Sequence, residues 1–296
     1  VNAKKIGVVA VLGSSMMWAL EPLAAKAAYR GADFLEMSAV RAIVVMAAAW
    51  GYAMLTNRGD LRVRKGQIPR LAYIGLAGTV IADTLYFFAL TKVPVINAVL
   101  IAHMQPIFIV LFGFVVLHEG LTRCDYCGIG IMVISGLLVT TRTWDNMVQI
   151  RLGSAGDLYV LAATVLWATT AITMRKYLRE VHSGVITFYR YLIASAVFTI
   201  YLVWSDGALR VNVYQVAVGV ISATGTILYY EAMKRVKAAQ VAALELSTPL
   251  FAAVLVLFVP AETVTGMQIV GIVLLLWGVG LLSRAETKPA ITFIAD

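Results

Sequence analysis

The chain has 296 residues, 61% of them hydrophobic and 14% charged, with a mean hydropathy of +0.86. A soluble domain carries about a quarter charged residues, so this composition excludes a water-soluble globular protein and points to a bilayer. The formal net charge of +8 does not signal a nucleic-acid partner, because the basic residues cluster at the ends of apolar stretches.

A hydrocarbon core ~30 Å thick requires about 20 apolar residues per helix. Ten stretches of that kind lie at 7–28, 34–55, 69–90, 95–117, 124–139, 157–174, 184–204, 211–230, 238–259 and 266–282. The first is preceded by Lys4-Lys5, as in a secretory leader, but it is long, contains Glu21 and Pro22, and precedes nine more; it is read as a retained helix. The second contains Arg41, the third Thr79, Asp83 and Tyr86, and the fourth His103 beside Gln105 and Pro106. At the start of the fifth, Cys124 and Cys127 form a C-x-x-C without the thioredoxin-like context or second ligand pair that redox or zinc chemistry requires, so they are read as ordinary thiols. The sixth carries Trp18's later counterpart Trp167, the seventh Arg190, the eighth Ser222, Thr226 and Tyr229, and the ninth Glu245 and Pro249. The alternating pattern of an outer-membrane barrel is absent from the sequence. The expected fold is an all-α integral membrane protein of ten transmembrane helices.

With a cytoplasmic N-terminus, sixteen Lys and Arg residues fall at inner helix ends, Arg62, Arg64, Lys65, Arg70 and Lys176 among them, against six at outer ends. That bias predicts both termini inside, in a cell (inner or plasma) membrane.

The two halves of the chain repeat each other. A shift of 149 residues lays Trp18 on Trp167, Lys26 on Arg175, Ser38 on Thr187 and Arg41 on Arg190. A shift of 143 then lays Thr79 on Ser222, Tyr86 on Tyr229, Pro106 on Pro249, Glu119 on Glu262 and Gly128 on Gly271. The change of shift falls in the loop between the second and third helices, where TNRGDLRVRKGQIPR is longer than SDGALRVN. Each copy holds five helices, residues 1–142 and 155–284, joined by an extracytoplasmic linker at 143–154 and followed by a cytoplasmic tail at 285–296. Five is odd, so the second copy is expected to be inverted relative to the first. Inverted repeats frame a site at their interface that opens to either side in turn.

Trp18 and Trp167 in the lead helices, Pro106 and Pro249 in the fourth of each copy, and Glu119-Gly-Leu-Thr122 echoed by Glu262-Thr-Val-Thr265 resemble the EamA-type family of the drug/metabolite transporter superfamily, over nearly the whole chain. Where that family often has Gly-Glu, this chain has His118-Glu119 and Ala261-Glu262. The resemblance implies a ten-helix inverted-repeat transporter, commonly an exporter of amino acids or related metabolites. Thr122 and Thr265 are read as helix caps, followed three residues later by Asp125 and Gln268. Pro22, Pro106 and Pro249 are read as kinks.

Positions spaced i, i+4 and i+7 share a helix face. Ser14, Trp18 and Glu21 form one such stripe, Thr79, Asp83 and Tyr86 a second, and Ser222, Thr226 and Tyr229 a third, with Trp167 and Thr170 on the sixth helix. Turned inward, they line a common cavity. At ~1.5 Å per residue, Glu21, Arg41 and Asp83 reach a similar level about 10 Å inside one surface. A lone charge at mid-bilayer costs about 2.5–3.5 kcal/mol or more, so these groups must be paired, protonated or wet, and Arg41 is expected to bridge Glu21 and Asp83 when the outer side is closed. In the second copy the acids are replaced by Thr170 and Thr226, and Arg190 is expected to meet Glu245. Tyr189, Tyr191 and Tyr230 are read as an interfacial belt.

The substrate pocket is assigned to Trp18, Glu21, Asp83, Tyr86, His103, Trp167 and Tyr229, and gating or coupling to Glu21, Arg41, Asp83, Arg190 and Glu245. The expected activity is alternating-access secondary transport, with export of an amino acid or amine-type solute. A proton-coupled or facilitative carrier of an organic cation such as a quaternary ammonium compound remains an alternative, and a channel-like pore a further one. H+ is a candidate coupling ion. No ATP-binding loop, hydrolase motif or metal-ligand cluster is present in the sequence, so neither an enzyme nor a cofactor is expected. The expected partners are a small-molecule substrate and the bilayer, in a monomer or homodimer.

Overall fold

A computed structural model describes residues 3–117, 123–148, 153–178, 180–205, 211–235, 241, 244–245, 247–259 and 264–285. Every regular element among them is a helix. Helix α1 is Ala3–Ala28 and α2 is Phe34–Thr56. The third stretch starts with a short 3-10 turn at Lys65–Gln67, continues as α3 (Ile68–Gly75), widens into a π turn over Leu76–Ile81, and resumes as α4 (Ala82–Leu90). The fourth is two helices, α5 (Val95–Ala102) and α6 (Gln105–Leu117). Then follow α7 (Arg123–Thr141), a short α8 (Trp144–Val148) that the sequence reading leaves in the linker, and α9 (Ala155–Tyr177). The chain continues with α10 (Ser183–Trp204), α11 (Val213–Arg235), α12 (Ser247–Val256) and α13 (Gly266–Ala285).

Among the described residues, seven helical segments are long and apolar enough to cross a bilayer, and three shorter apolar helices run over Tyr126–Val139, Ser247–Val256 and Gly266–Leu281. Large apolar side chains face outward: Leu55 is 87% exposed, Trp204 84% and Phe258 79%. Such surface is stable against lipid and not against water.

Local chemistry fixes where the helices begin. Asp33 accepts hydrogen bonds from the amides of Leu35 and Glu36, both at 2.7 Å, and Glu36 reaches back to the Asp33 amide. The same reciprocal cap opens α9 through Ser154 and Asp157, α11 through Asn212 and Gln215, and α13 through Thr265 and Gln268. The matching pair at Thr122, with Glu119 and Glu262, lies outside the described residues. The caps of α9 and α13 are tied together by Asn97 of α5, which donates to Asp157 (3.3 Å) and accepts from Gln268 (2.5 Å).

The packing exchanges the two halves. Helix α1 lies on α11 as α9 lies on α4; α1 lies on α12 as α9 lies on α5 and α6; α2 pairs with α10, and α7 with α13. The last two pairs join helices equivalent under the repeat, and both run antiparallel. Tyr52 near the end of α2 stacks on His182 at the start of α10, with centroids 5.7 Å apart. Midway, Ser195 donates to the Met46 sulfur at 3.5 Å, a contact between positions 149 residues apart that the sequence shift makes equivalent. In the other pair, Gly271 lies against Ser135 and Val139, and Gly278 against Met132 and Gly128. A Cβ on Gly278 would stand 2.6 Å from the Met132 side chain; small residues let membrane helices approach this closely.

Candidate functional site

The site is built around two arginines at equivalent positions on α2 and α10. Arg41 is 2% exposed. Its Nη1 donates to Glu21 Oε1 of α1 at 3.2 Å, and its Nη2 donates to Asp83 Oδ2 of α4. The guanidinium lies 4.4 Å from the Phe87 ring centroid and 5.6 Å from that of Tyr191, aromatic faces that attract a partly desolvated cation. Glu21 Oε1 also accepts from the Ser222 hydroxyl on α11, so one carboxylate joins helices from both halves.

Arg190 reaches the same acid from the other side. Its Nε donates to Thr79 Oγ1 and its Nη2 to the Gly78 carbonyl at 3.0 Å, and Nη2 stands 3.8 Å from Asp83 Oδ1. Gly78 lies inside the π turn. Such a turn displaces the i→i+4 pairing and leaves carbonyls open to outside donors; the Gly78 oxygen accepts from Trp167 Nε1 as well as from Arg190. The absent side chain matters here, since a Cβ would lie 3.0 Å from the Thr170 methyl. The Trp167 indole N–H is shared, donating also to Asp83 Oδ1 at 2.8 Å. Asp83, with a side chain 4% exposed, thus holds one arginine of its own half and an arginine and a tryptophan of the other.

The four aromatic residues assigned to the pocket form two pairs related by the repeat. Trp18 and Tyr229 have centroids 5.1 Å apart at 51°, and Trp167 and Tyr86 have centroids 5.2 Å apart at 55°. The pairs match in geometry and differ in hydrogen bonding, because Asp83 and the π turn exist in the first half alone.

Four expectations need correction or qualification. Arg190 does not meet Glu245: it is drawn to Asp83, Thr79 and the Gly78 carbonyl. Glu245 is half-buried with no ion pair or hydrogen bond among the described residues. Residue counting placed Arg190 near the opposite surface from Asp83; its backbone does lie beside Gly75, eight residues before Asp83, and the long guanidinium side chain spans the difference. Tyr191 and Tyr230 are not belt residues; they are 2% and 7% exposed and lie inside the bundle. His103 stands apart from the charge cluster, its Nδ1 2.7 Å from the Val99 carbonyl of its own helix. The fourth helix breaks at His103-Met104, ahead of Pro106, which lies in the first turn of α6. Pro22 is accommodated within a continuous α1, and Pro249 is buried in the first turn of α12.

Residues that sequence reasoning left out of the site are the Gly78 carbonyl, Phe87, Tyr191 and, as an arginine acceptor, Thr79. Thr79 and Ser222 did lie on the polar stripes. The Gly78 oxygen carries no side-chain signal, and the ring-to-guanidinium contacts depend on helix crossings that periodicity does not encode.

The fold and site together are those of a multi-pass helical membrane protein with a buried cluster of two acids and two arginines shared between two repeated halves. Residues 5–141 and 154–284 match the model of the EamA-like transporter family, and the chain belongs to that family. Among its relatives, an uncharacterized transporter of Methanothermobacter thermautotrophicus is 25% identical over 232 residues, 76% of this chain and 67% of that one. The pseudopaline exporter CntI of Pseudomonas aeruginosa is 27% identical over 195 residues, 64% of this chain and 66% of that one. The matches thus span about two thirds of these relatives' length. A protein of known crystal structure superposes with a TM-score of 0.68 over 95% of this chain and 99% of that one at 18% identity, a likeness of fold.

Proposed function

We propose that the chain is a secondary active transporter moving a small organic solute by alternating access, through ten spans in two inverted repeats, 1–142 and 155–284. In this reading the linker at 143–154 is extracytoplasmic, and both termini and the tail at 285–296 are cytoplasmic, in the inner or plasma membrane. The observation that supports it most is the sharing of Asp83 between the halves. Rocking the halves apart separates Asp83 from Trp167 and Arg190, and Glu21 from Ser222. Leaving a buried charge without its partner costs about 3–5 kcal/mol, unless a charged group on the solute takes the vacated place.

Glu21 and Asp83 balance Arg41 and Arg190, so a zwitterion enters without changing the net charge. Its ammonium would take the place of Arg190 at Asp83 or of Ser222 at Glu21, and its carboxylate would take Arg190. This supports an amino-acid-like solute, with Trp18, Tyr229, Tyr86 and Trp167 around its apolar part. Those four rings also support a second reading, an organic cation such as a quaternary ammonium compound. The exporting relative supports export. His103 and Glu245, both outside the cluster, are candidates for carrying a coupling proton.

The test is counterflow in proteoliposomes loaded with unlabelled amino acids, amines or quaternary ammonium compounds. Saturable uptake accelerated by internal solute, and lost in Asp83→Asn, is the expected result. Unsaturable flux indifferent to internal solute would establish a pore instead.

A further inference from the structure

A second cluster of charge lies away from this site, at one end of the bundle. Arg64, Gln67 and Arg70 from the start of the third stretch, and Lys176, Tyr177 and Glu180 from the end of α9 and the residues just after it, line a partly open cavity of about 440 Å³. Three cations face one carboxylate there. None of the three is paired with an acid among the described residues; their contacts are to neutral groups. Arg70 donates to the Gly66 carbonyl at 3.0 Å and lies 4.1 Å over the Tyr177 ring. Lys176 points at the Val116 carbonyl (3.4 Å) and lies 5.4 Å from the same ring. Two cations are thus held against one aromatic floor, leaving donors free for an anion.

The cavity sits at a boundary between polar and apolar surface. The apolar spans Lys65–Leu90 and Ala155–Met174 start and stop beside it. Along α3 and into the π turn, Ile68 (52%), Tyr73 (41%) and Leu76 (45%) leave apolar surface exposed beside it. We propose that this cavity binds the phosphate headgroup of an anionic phospholipid, whose acyl chains lie along the exposed apolar side chains of α3. The cavity stands where two apolar spans end, the level at which a bilayer presents its headgroups, so the phosphate group that meets these cations there is one carried on acyl chains. Basic recesses between membrane helices hold anionic headgroups by this chemistry. Because its walls come from both halves of the chain, the bound lipid would join them at the membrane surface.

The test uses the purified full chain, with thermal stability followed on titration of phosphatidylglycerol, phosphatidylcholine or inorganic phosphate into detergent micelles. Stabilisation by phosphatidylglycerol well beyond the other two is expected. Each cation removed should weaken the apparent affinity for that lipid about fivefold, so Arg64→Gln/Arg70→Gln/Lys176→Gln should abolish the preference, while the exposed loop change Arg62→Gln should leave it. If the triple variant does not fold, Arg64→Gln alone, at an exposed side chain, still has to show the fivefold loss. Equal stabilisation by phosphatidylcholine or by phosphate alone would overturn the lipid assignment. So would an intact preference in a folded Arg64→Gln variant.

Discussion

Replacing Asp83 with Asn keeps the shape of the side chain and removes its charge from two buried guanidinium groups and an indole N–H. At 4 Å and an effective dielectric near 20, a unit pair attracts by about 4 kcal/mol before desolvation is counted. Desolvation offsets much of that when a pair forms, but it is not recovered when one partner is neutralised in place, where losses of about 3–5 kcal/mol are usual. Arg41 retains Glu21, which places Asp83→Asn near the lower figure, about 3 kcal/mol. The coupling is open to measurement by double-mutant cycles on thermal or denaturant stability. Arg41→Gln with Asp83→Asn should show a coupling of about 3 kcal/mol, because the contact is direct and both side chains are at most 4% exposed. Arg190→Gln with Asp83→Asn should couple by about 1 kcal/mol, since that pair stands at 3.8 Å, Arg190 is 15% exposed, and it has two other acceptors. A coupling below about 0.5 kcal/mol for the first pair, or the reverse order, would refute the cluster as the centre of the fold.

Three further outcomes follow from particular contacts. Trp167→Phe should cost about 1–3 kcal/mol more than Trp18→Phe in thermal unfolding, because only Trp167 donates to buried acceptors, at Asp83 and Gly78; equal losses would deny the asymmetry. With Cys124 and Cys127 changed to Ser, Met46→Cys and Ser195→Cys should cross-link rapidly on oxidation across α2 and α10, whereas Met46→Cys with Thr187→Cys should not. Gln268→Ala removes the side-chain half of the reciprocal α13 cap and a bond to buried Asn97, for an expected loss of about 2–3 kcal/mol; a neutral result on denaturant unfolding would show that the Asn97 network is dispensable.

Composition alone settled the solvent of this protein, because transfer of a helix into lipid is close to a sum over its residues. The start of α13 was legible for a related reason: Thr265 and Gln268 cap it within four residues of chain. The repeat was legible too, since Trp18 over Trp167 and Arg41 over Arg190 need no structure to be seen. Charge cost in lipid likewise pointed to Arg41 as the bridge between Glu21 and Asp83, which the structure forms.

What the tertiary structure alone decided is which groups meet across the halves. Arg190 turns to Asp83 instead of Glu245, Tyr191 lies beneath two guanidinium groups, and a π turn offers the Gly78 oxygen to Trp167. Each depends on where helices from the two halves cross, and the Gly78 contact also on a one-residue change in backbone pairing. Neither is a property of any one segment, so periodicity and residue counting locate a helix face and a depth but not the neighbour that face will find.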